Sequence, residues 1–417
     1  MQEDLKRYVA LIQTYVKDNY KKCFREPHGK FQYPCVVPGS SYSDQLWDWD
    51  SWLTDIALAA AAEGDDIAEY EQGCVLNFLA AADSEGRIPI NIIADRESIF
   101  DLKPGTEVNI HKPCLAQHAL FVAERSGNNV EWLRNKFPAL KRFIEWYEEH
   151  CFHKETGLYF WLNDFAIGVD NDPCVFYRPE KSTASIFLNC LVYGELVAAA
   201  KLCHLLNDAD EKRYAEKSEN LKRAIQSECW DDRDGFYYSA DILLKKVDPN
   251  EWLHSGGPRH WKSLPMRIGV WSGFLAMYYG IATSNQVERM VKEHLRNEKE
   301  FNAPYGVRSL SKAETRIYAI KNSGNPSCWI GPVWGNANYM VCEGLLRYGY
   351  TDDARTLAEK TVKLFGKDVE KCGEFHEYYH PETGEGIRNQ GFQSWNLLSY
   401  NLAERLVKNN WNYGGLK

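Results

Sequence analysis

The chain has 417 residues, room for two or three domains at roughly 150 residues each, or for one large barrel. It carries 58 acidic against 49 basic residues, a net charge of −9, and no lysine or arginine run. A nucleic-acid surface needs a concentrated basic face, so that class of partner is excluded. No run of about 18 apolar residues reads as a membrane span, and the amino terminus reads as a charged amphipathic helix rather than a signal peptide. What stands out is the aromatic load of 14 Trp, 24 Tyr and 18 Phe. Aromatics at that density fill cores, and they also wall sugar sites.

Twelve cysteines lie scattered between Cys23 and Cys372 with no CxxC pair. Free cysteine is commonly buried, and a chain of this length needs no disulfide staples. The twelve therefore read as reduced core thiols. The one Asn-x-Ser/Thr match, Asn325-Pro326-Ser327, is disabled by its central proline. Both features point to the cytoplasm.

Apolar residues recur at helical spacing along most of the chain. The first predicted helix covers 2–22. The second, 50–63, is opened by Trp47, Asp48, Trp49 and Asp50, and the joint Glu63-Gly64-Asp65 turns it into a third over 65–82. After an irregular stretch, 83–112, helices over 113–126 and 129–149 meet at Ser126-Gly127-Asn128-Asn129. The stretch 150–183 carries Trp161, Asp164, Asp170 and Asp172, and leads to helices over 184–206 and 210–227 joined at Asn207-Asp208. A long loop, 228–268, precedes helices over 269–281 and 285–296. Another, 297–332, sets Trp329 before Gly331-Pro332 and Trp334. Helices over 333–348 and 352–366 turn at Gly349-Tyr350-Thr351. The stretch 367–392 then brings Glu374, Glu377, Tyr378 and Tyr379 ahead of a final helix over 393–408.

Short polar joints thus alternate with loops too long to be idle connectors. That pattern predicts an all-α fold: six helical hairpins closing into one (α/α)6 toroid over residues 1–417, with the long loops on one rim. Asp170 falls between the fifth and sixth helices and Glu377 between the eleventh and twelfth. Half a turn of a six-hairpin ring separates them, so their loops should face each other across the mouth. Two opposed carboxyl groups over an aromatic-lined cavity are the apparatus of glycoside hydrolysis.

The same segments resemble the signatures of inverting α-glycosidases of the trehalase clan, especially glycoside hydrolase family sixty-three. Gln45-Leu46-Trp47-Asp48-Trp49-Asp50-Ser51 resembles the family's early Trp-Asp-Ser segment, and Lys112-Pro113-Cys114-Leu115-Ala116 a Lys/Gln-Pro-Pro-x-x-Ala segment. Gly168-Val169-Asp170-Asn171-Asp172-Pro173 resembles the segment carrying the general acid, and Glu377-Tyr378-Tyr379-His380-Pro381 the one carrying the general base. Between them, Trp329-Ile330-Gly331-Pro332-Val333-Trp334 resembles a Trp-Arg-Gly-Pro-x-Trp block. The resemblance implies Asp170 as acid, Glu377 as base and Asp50 as a ligand of sugar hydroxyls. A neighbouring carboxylate such as Asp172, or burial, is expected to hold the proton on Asp170, with Glu377 ionised. Subsite −1 is expected to hold Trp49, Asp50, Gln117, Trp329, Trp334 and Trp395, with Tyr42, Trp47, Lys112, Gly168, Asn336 and Gln393 around them. Ile167, Cys174 and Ile330 depart from the family pattern. Compact members include hydrolases of mannosylglycerate and glucosylglycerate, so a small α-linked glucoside or mannoside, taken without a cofactor in an exo-acting pocket, is the implied substrate.

Two rival chemistries use the histidines. His376-Glu377-Tyr378-Tyr379-His380 matches HExxH, which binds zinc only if both histidines share one helical face; Pro381 disfavours helix there. An epimerase or isomerase on the same toroid would draw on His111, His118, His376 and His380 for proton transfer.

Overall fold

The computed structural model describes residues 3–256, 259–320 and 327–414. Residue 2 of the first expected helix, and Asn325 and Pro326 of the disabled glycosylation match, lie outside them. In chain order the α-helices are α1 (Glu3–Asn19), α2 (Asp48–Ala61), α3 (Ala68–Ala80), α4 (Leu115–Arg125), α5 (Phe137–His150) and α6 (Ile186–Leu206). There follow α7 (Glu211–Glu228), α8 (Leu275–Tyr278), α9 (Ser284–Arg289), α10 (Gly335–Arg347), α11 (Thr351–Cys372) and α12 (Leu398–Lys408).

Burial sorts these helices into two kinds. Every residue of α10 except Arg347 is buried, and α2 exposes only Ile56, Ala59 and Ala60 even in part. In α7, by contrast, only Tyr214, Ser218, Leu221, Ala224 and Ile225 are buried, a stripe at helical spacing. A helix apolar all round must lie inside others. The even-numbered helices do so, because α2 packs on α4, α4 on α6, α6 on α8, α8 on α10, α10 on α12, and α12 back on α2. The odd-numbered helices back this ring, with α7 against α6 and α11 against α10, while α1 lies against α11 and α12. The result is an (α/α)6 barrel whose buried apolar residues form one cluster from Tyr8 to Ala403.

Among the described residues, α6 alone is long and apolar enough to cross a membrane, against the expectation that no such run exists. Its apolarity has a local cause: 83% of its most apolar window is buried inside the protein. Strands are two or three residues long and pair antiparallel in small hairpins, in one three-stranded sheet, and in a pair that joins Gln45–Trp47 to Asn91–Ile93 across α2 and α3.

Several helices differ from their predicted spans. The fifth starts at Phe137 instead of 129, with Pro138 in its first turn and residues 131–136 in turns. The eighth is a single α turn preceded by a 3-10 turn, Trp271–Phe274, and ends at Gly280 with φ +69°. The ninth is capped by a reciprocal Thr283–Gln286 box and runs on as a π-helix, Met290–Leu295. The eleventh continues six residues past Gly366 to a left-handed Gly373.

Gly366 therefore does not stop the helix. A Cβ there would lie 2.3 Å from the Tyr8 Cβ, so the glycine lets α1 approach α11. Gly366→Ala is expected to cost about 1–3 kcal/mol of stability through overpacking, despite the better helix propensity of alanine. Denaturant unfolding of the variant measures this, and unchanged stability would refute the close-packing argument.

Candidate active site

The loops that enter the inner helices surround a cavity of about 740 Å³. Trp49 and Asp50 reach it from the start of α2, Lys112 from just before α4, Gly168 and Asp170 from before α6, Ser327 from before α10, and Glu377 and Trp395 from before α12. Helices α6 and α12 stand opposite each other in the ring, so Asp170 and Glu377 enter one cavity from opposed loops.

Each carboxyl group has its own support. Asp170 is followed by Asn171, whose Oδ1 accepts the Trp329 backbone N–H at 2.6 Å, tying its loop to the loop before α10. Glu377 precedes the strand Tyr378–Tyr379, which pairs with Gly386–Ile387 and bridges to Val333. The turn of that hairpin returns Asn389, which donates from Nδ2 to Glu377 and to the Tyr42 hydroxyl. Asp50 accepts a hydrogen bond of 2.9 Å from Ser394 Oγ. Lys112, 1% exposed, forms an ion pair of 2.8 Å with Asp48, whose other oxygen accepts the Lys112 backbone N–H. Gly168 packs on the Lys112 stem, where a Cβ would meet Cε at 2.8 Å.

Burial is the main electrostatic force here, and it raises Asp50, Asp170 and Glu377. Asp170 is pushed up to about 6 by burial, with Lys112 and a hydrogen bond from Ser327 pulling it back. Asp172 takes no part in that shift; its Oδ1 accepts the Cys174 backbone N–H. Asp50 rises to about 7 through burial and repulsion from Asp48. Glu377 rises to about 8, by burial and by the neighbouring Asp50 and Asp170, against the pull of Asn389. The order differs from the expected one, in which Asp170 keeps the proton and Glu377 is ionised. The physical reason is that Lys112 favours the anion at Asp170, whereas Glu377 is ringed by other carboxylates.

A carboxyl raised above its unfolded value binds its proton more tightly when folded, so its stabilising contribution is present at low pH and lost as pH rises through the folded value. The unliganded protein should therefore lose stability between about pH 4.5 and 8. Glu377→Gln should flatten part of that slope in melting curves taken across the range. An unchanged slope in the variant would contradict the raised value.

The cavity gathers Tyr42, Trp47, Trp49, Asp50, Lys112, Gly168 and Trp395 around the two carboxyls. Five expected residues do not line it. Trp329 and Trp334 stack on each other at 3.9 Å and 5° and stand behind Trp49 and Trp395. Gln117 is locked between inner helices, donating to the Pro113 and Leu191 carbonyls and accepting from the Tyr279 hydroxyl. Asn336 is fully buried in the first turn of α10. Gln393 lies in the wall behind, its Oε1 facing Cys23 Sγ at 3.7 Å. Sequence reasoning missed Ser327 and Asn389, and also an apolar outer wall that includes Ile99, Phe100 and Phe176. The hairpin register that sets Asn389 beside Glu377 was the one available signal.

Neither rival chemistry has its geometry. Tyr378 and Tyr379 form a strand, so His376 and His380 do not share a helical face. His376 Nδ1 faces Asp368 at 3.0 Å, and His380 Nδ1 accepts the Glu382 and Thr383 backbone N–H groups. His111 and His118 are buried, His118 against Asp55 at 2.6 Å, and no histidine lines the cavity among the described residues.

Comparison with known proteins matches these features. The crystal structure of a GH63 mannosylglycerate hydrolase from Thermus thermophilus in complex with glucose shares the fold, at a TM-score of 0.69 and 22% identity over 93% of this chain and 99% of that one. A probable mannosyl-oligosaccharide glucosidase of Schizosaccharomyces pombe is 27% identical over 66% of this chain, which spans 35% of that protein's length. Mannosylglycerate hydrolase MGH1 of Selaginella moellendorffii is 32% identical over 86% of this chain and 80% of its own. The model of the mannosylglycerate hydrolase MGH1-like glycoside hydrolase domain matches residues 43–395, from just ahead of Trp47 to Trp395, and the chain belongs to that family.

Proposed function

We propose that the protein hydrolyses a small α-linked glucoside or mannoside, of disaccharide or glycosylglycerate type, with inversion at the anomeric carbon. The observation that carries this reading is the meeting of Asp170 and Glu377 in one cavity walled by Trp49 and Trp395. Asp170 acts as the general acid and protonates the glycosidic oxygen. Glu377 acts as the general base and takes a proton from the water that attacks the opposite face of the sugar. Trp49 and Trp395 stack on the apolar face of the ring in subsite −1, and Asp50 accepts its hydroxyls. No cofactor enters these steps.

The pair has one exchangeable proton to place. Between about pH 6 and 8 it carries a single proton, shared by two coupled groups. A substrate whose glycosidic oxygen accepts from Asp170 selects the form in which Asp170 is protonated and Glu377 ionised. The higher value at Glu377 favours a second reading, with Glu377 as acid and Asp170 as base.

The twelve cysteines are unpaired and all but Cys372 are buried, which supports a reducing compartment such as the cytoplasm. The decisive experiment is NMR of the first sugar released from α-glucosides and α-mannosides. The β-anomer is expected, and initial release of the α-anomer would overturn the inverting mechanism.

A further inference from the structure

The outer half of the cavity has a different character from its floor. Ile99, Phe100, Phe165, Phe176 and Tyr177 line it, from the two loops over 83–112 and 150–183. Ile99 is 80% exposed, Phe165 46% and Tyr177 86%. Large apolar side chains held in water around a cavity mark a surface that something covers. Their rings run on from the floor: Tyr42 meets Trp47 at 5.8 Å, Trp47 meets Phe100 at 5.4 Å, and Phe100 stacks on Phe165 at 5.0 Å and 27°.

The backbone holds this wall in place. Asn109 Nδ2 donates to the Phe165 carbonyl at 2.7 Å, and Asp164 Oδ2 accepts the Tyr177 N–H at 2.9 Å. Ala166 and Tyr177 sit at φ +64° and +60°, a left-handed conformation that is costly for residues with a Cβ and that collects at functional sites. Charge tells the same story. Lys112 is the only cation lining the cavity among the described residues, and Asp48 already pairs with it. Among the described residues four carboxyl groups line it: Asp50, Asp164, Asp170 and Glu377.

We propose that the aglycone subsite takes an uncharged leaving group with a flat apolar face, of which a phenolic ring is the simplest, and disfavours an anionic one such as glycerate. This rests on the hydrolase reading, keeps its α-linked sugar, and departs from its glycosylglycerate alternative in the class of aglycone. A ring laid against Phe100 and Phe165 gains buried apolar area and stacking. A carboxylate in the same place would lose hydration, face Asp164 and Asp170, and find among the described lining residues no cation but Lys112, which Asp48 already holds.

Sulphur-linked glycosides resist hydrolysis, so binding to the wild-type protein isolates recognition from leaving-group chemistry. The probes are phenyl, glyceryl and glycerate thioglycosides of α-mannose and α-glucose, titrated by tryptophan fluorescence. For whichever sugar binds, the phenyl compound should bind at least about tenfold more tightly than the glycerate compound, with the glyceryl one between. The Phe165→Ala/Tyr177→Ala variant, altered only at exposed side chains, should lose that advantage. Equal or tighter binding of the glycerate compound, no binding of any probe, or an undiminished phenyl preference in the double variant would each overturn the proposal. Turnover of the matching oxygen glycosides is measured separately. A phenyl preference in binding without turnover would sink the hydrolase reading and leave the subsite standing.

Discussion

Asp170→Asn and Glu377→Gln are each expected to lower kcat on an ordinary α-glycoside by about 10²–10⁴-fold, the usual contribution of a general acid or base, with the fold intact. The amide is nearly isosteric and carries no charge, and loss of hydration disfavours the charged form at both positions, so neither variant should unfold. A glycosyl fluoride then tells the roles apart. Fluoride leaves with less help from an acid, so the variant lacking the acid should recover part of its rate on the fluoride, whereas the variant lacking the base should not. Rescue of Asp170→Asn alone fits Asp170 as acid. Rescue of Glu377→Gln alone would exchange the roles, as the higher value at Glu377 favours. Near-normal turnover of either variant on an ordinary glycoside would remove that residue from the mechanism.

The architecture was legible because helical periodicity and loop length are local signals. Helical spacing marks the helices, short polar joints alternating with long loops mark the hairpins, and six hairpins imply the ring. Boundaries failed where tertiary contact decides them. Gly366 looks like a stop and serves as a crossing point for Tyr8, while 131–136 keeps apolar spacing yet folds as turns before Pro138.

In the site, the residues fixed by motif and loop position reached the cavity, Asp170, Glu377, Asp50 and Trp49 among them. Aromatic and amide identity misled. A tryptophan that touches sugar and one stacked behind it look alike in sequence, and Trp329 and Trp334 are of the second sort. Gln117 is polar, and its hydrogen-bond capacity is spent between helices. The apolar wall from Ile99 to Tyr177 is built from two loops with no motif, so only their convergence in space reveals it.

Lys112→Met should have the largest effect on stability of any single change in the site, and it also tests the electrostatics. The ammonium and the Asp48 carboxylate are buried together at 2.8 Å, 1% and 0% exposed. Breaking such a pair by removing one partner costs about 3–5 kcal/mol, because the other charge is left uncompensated. Asp48 keeps the backbone N–H groups of Trp49 and Lys112, which hold it in place without neutralising it. The double variant Asp48→Asn/Lys112→Met should therefore regain much of the stability lost by the single one in denaturant titrations. Activity carries the second signature. Lys112 holds Asp170 and Asp50 below where burial alone would put them, so its loss raises both. In kcat/KM, which reports the free enzyme, the one-proton pair gives a bell with limbs near 6 and 8. The acidic limb belongs chiefly to Asp170, the first of the two to ionise, and should move to higher pH in Lys112→Met, narrowing the bell. A limb that stays put or moves down would show that Lys112 does not set the proton affinity of Asp170, and the ion pair would then matter for folding alone.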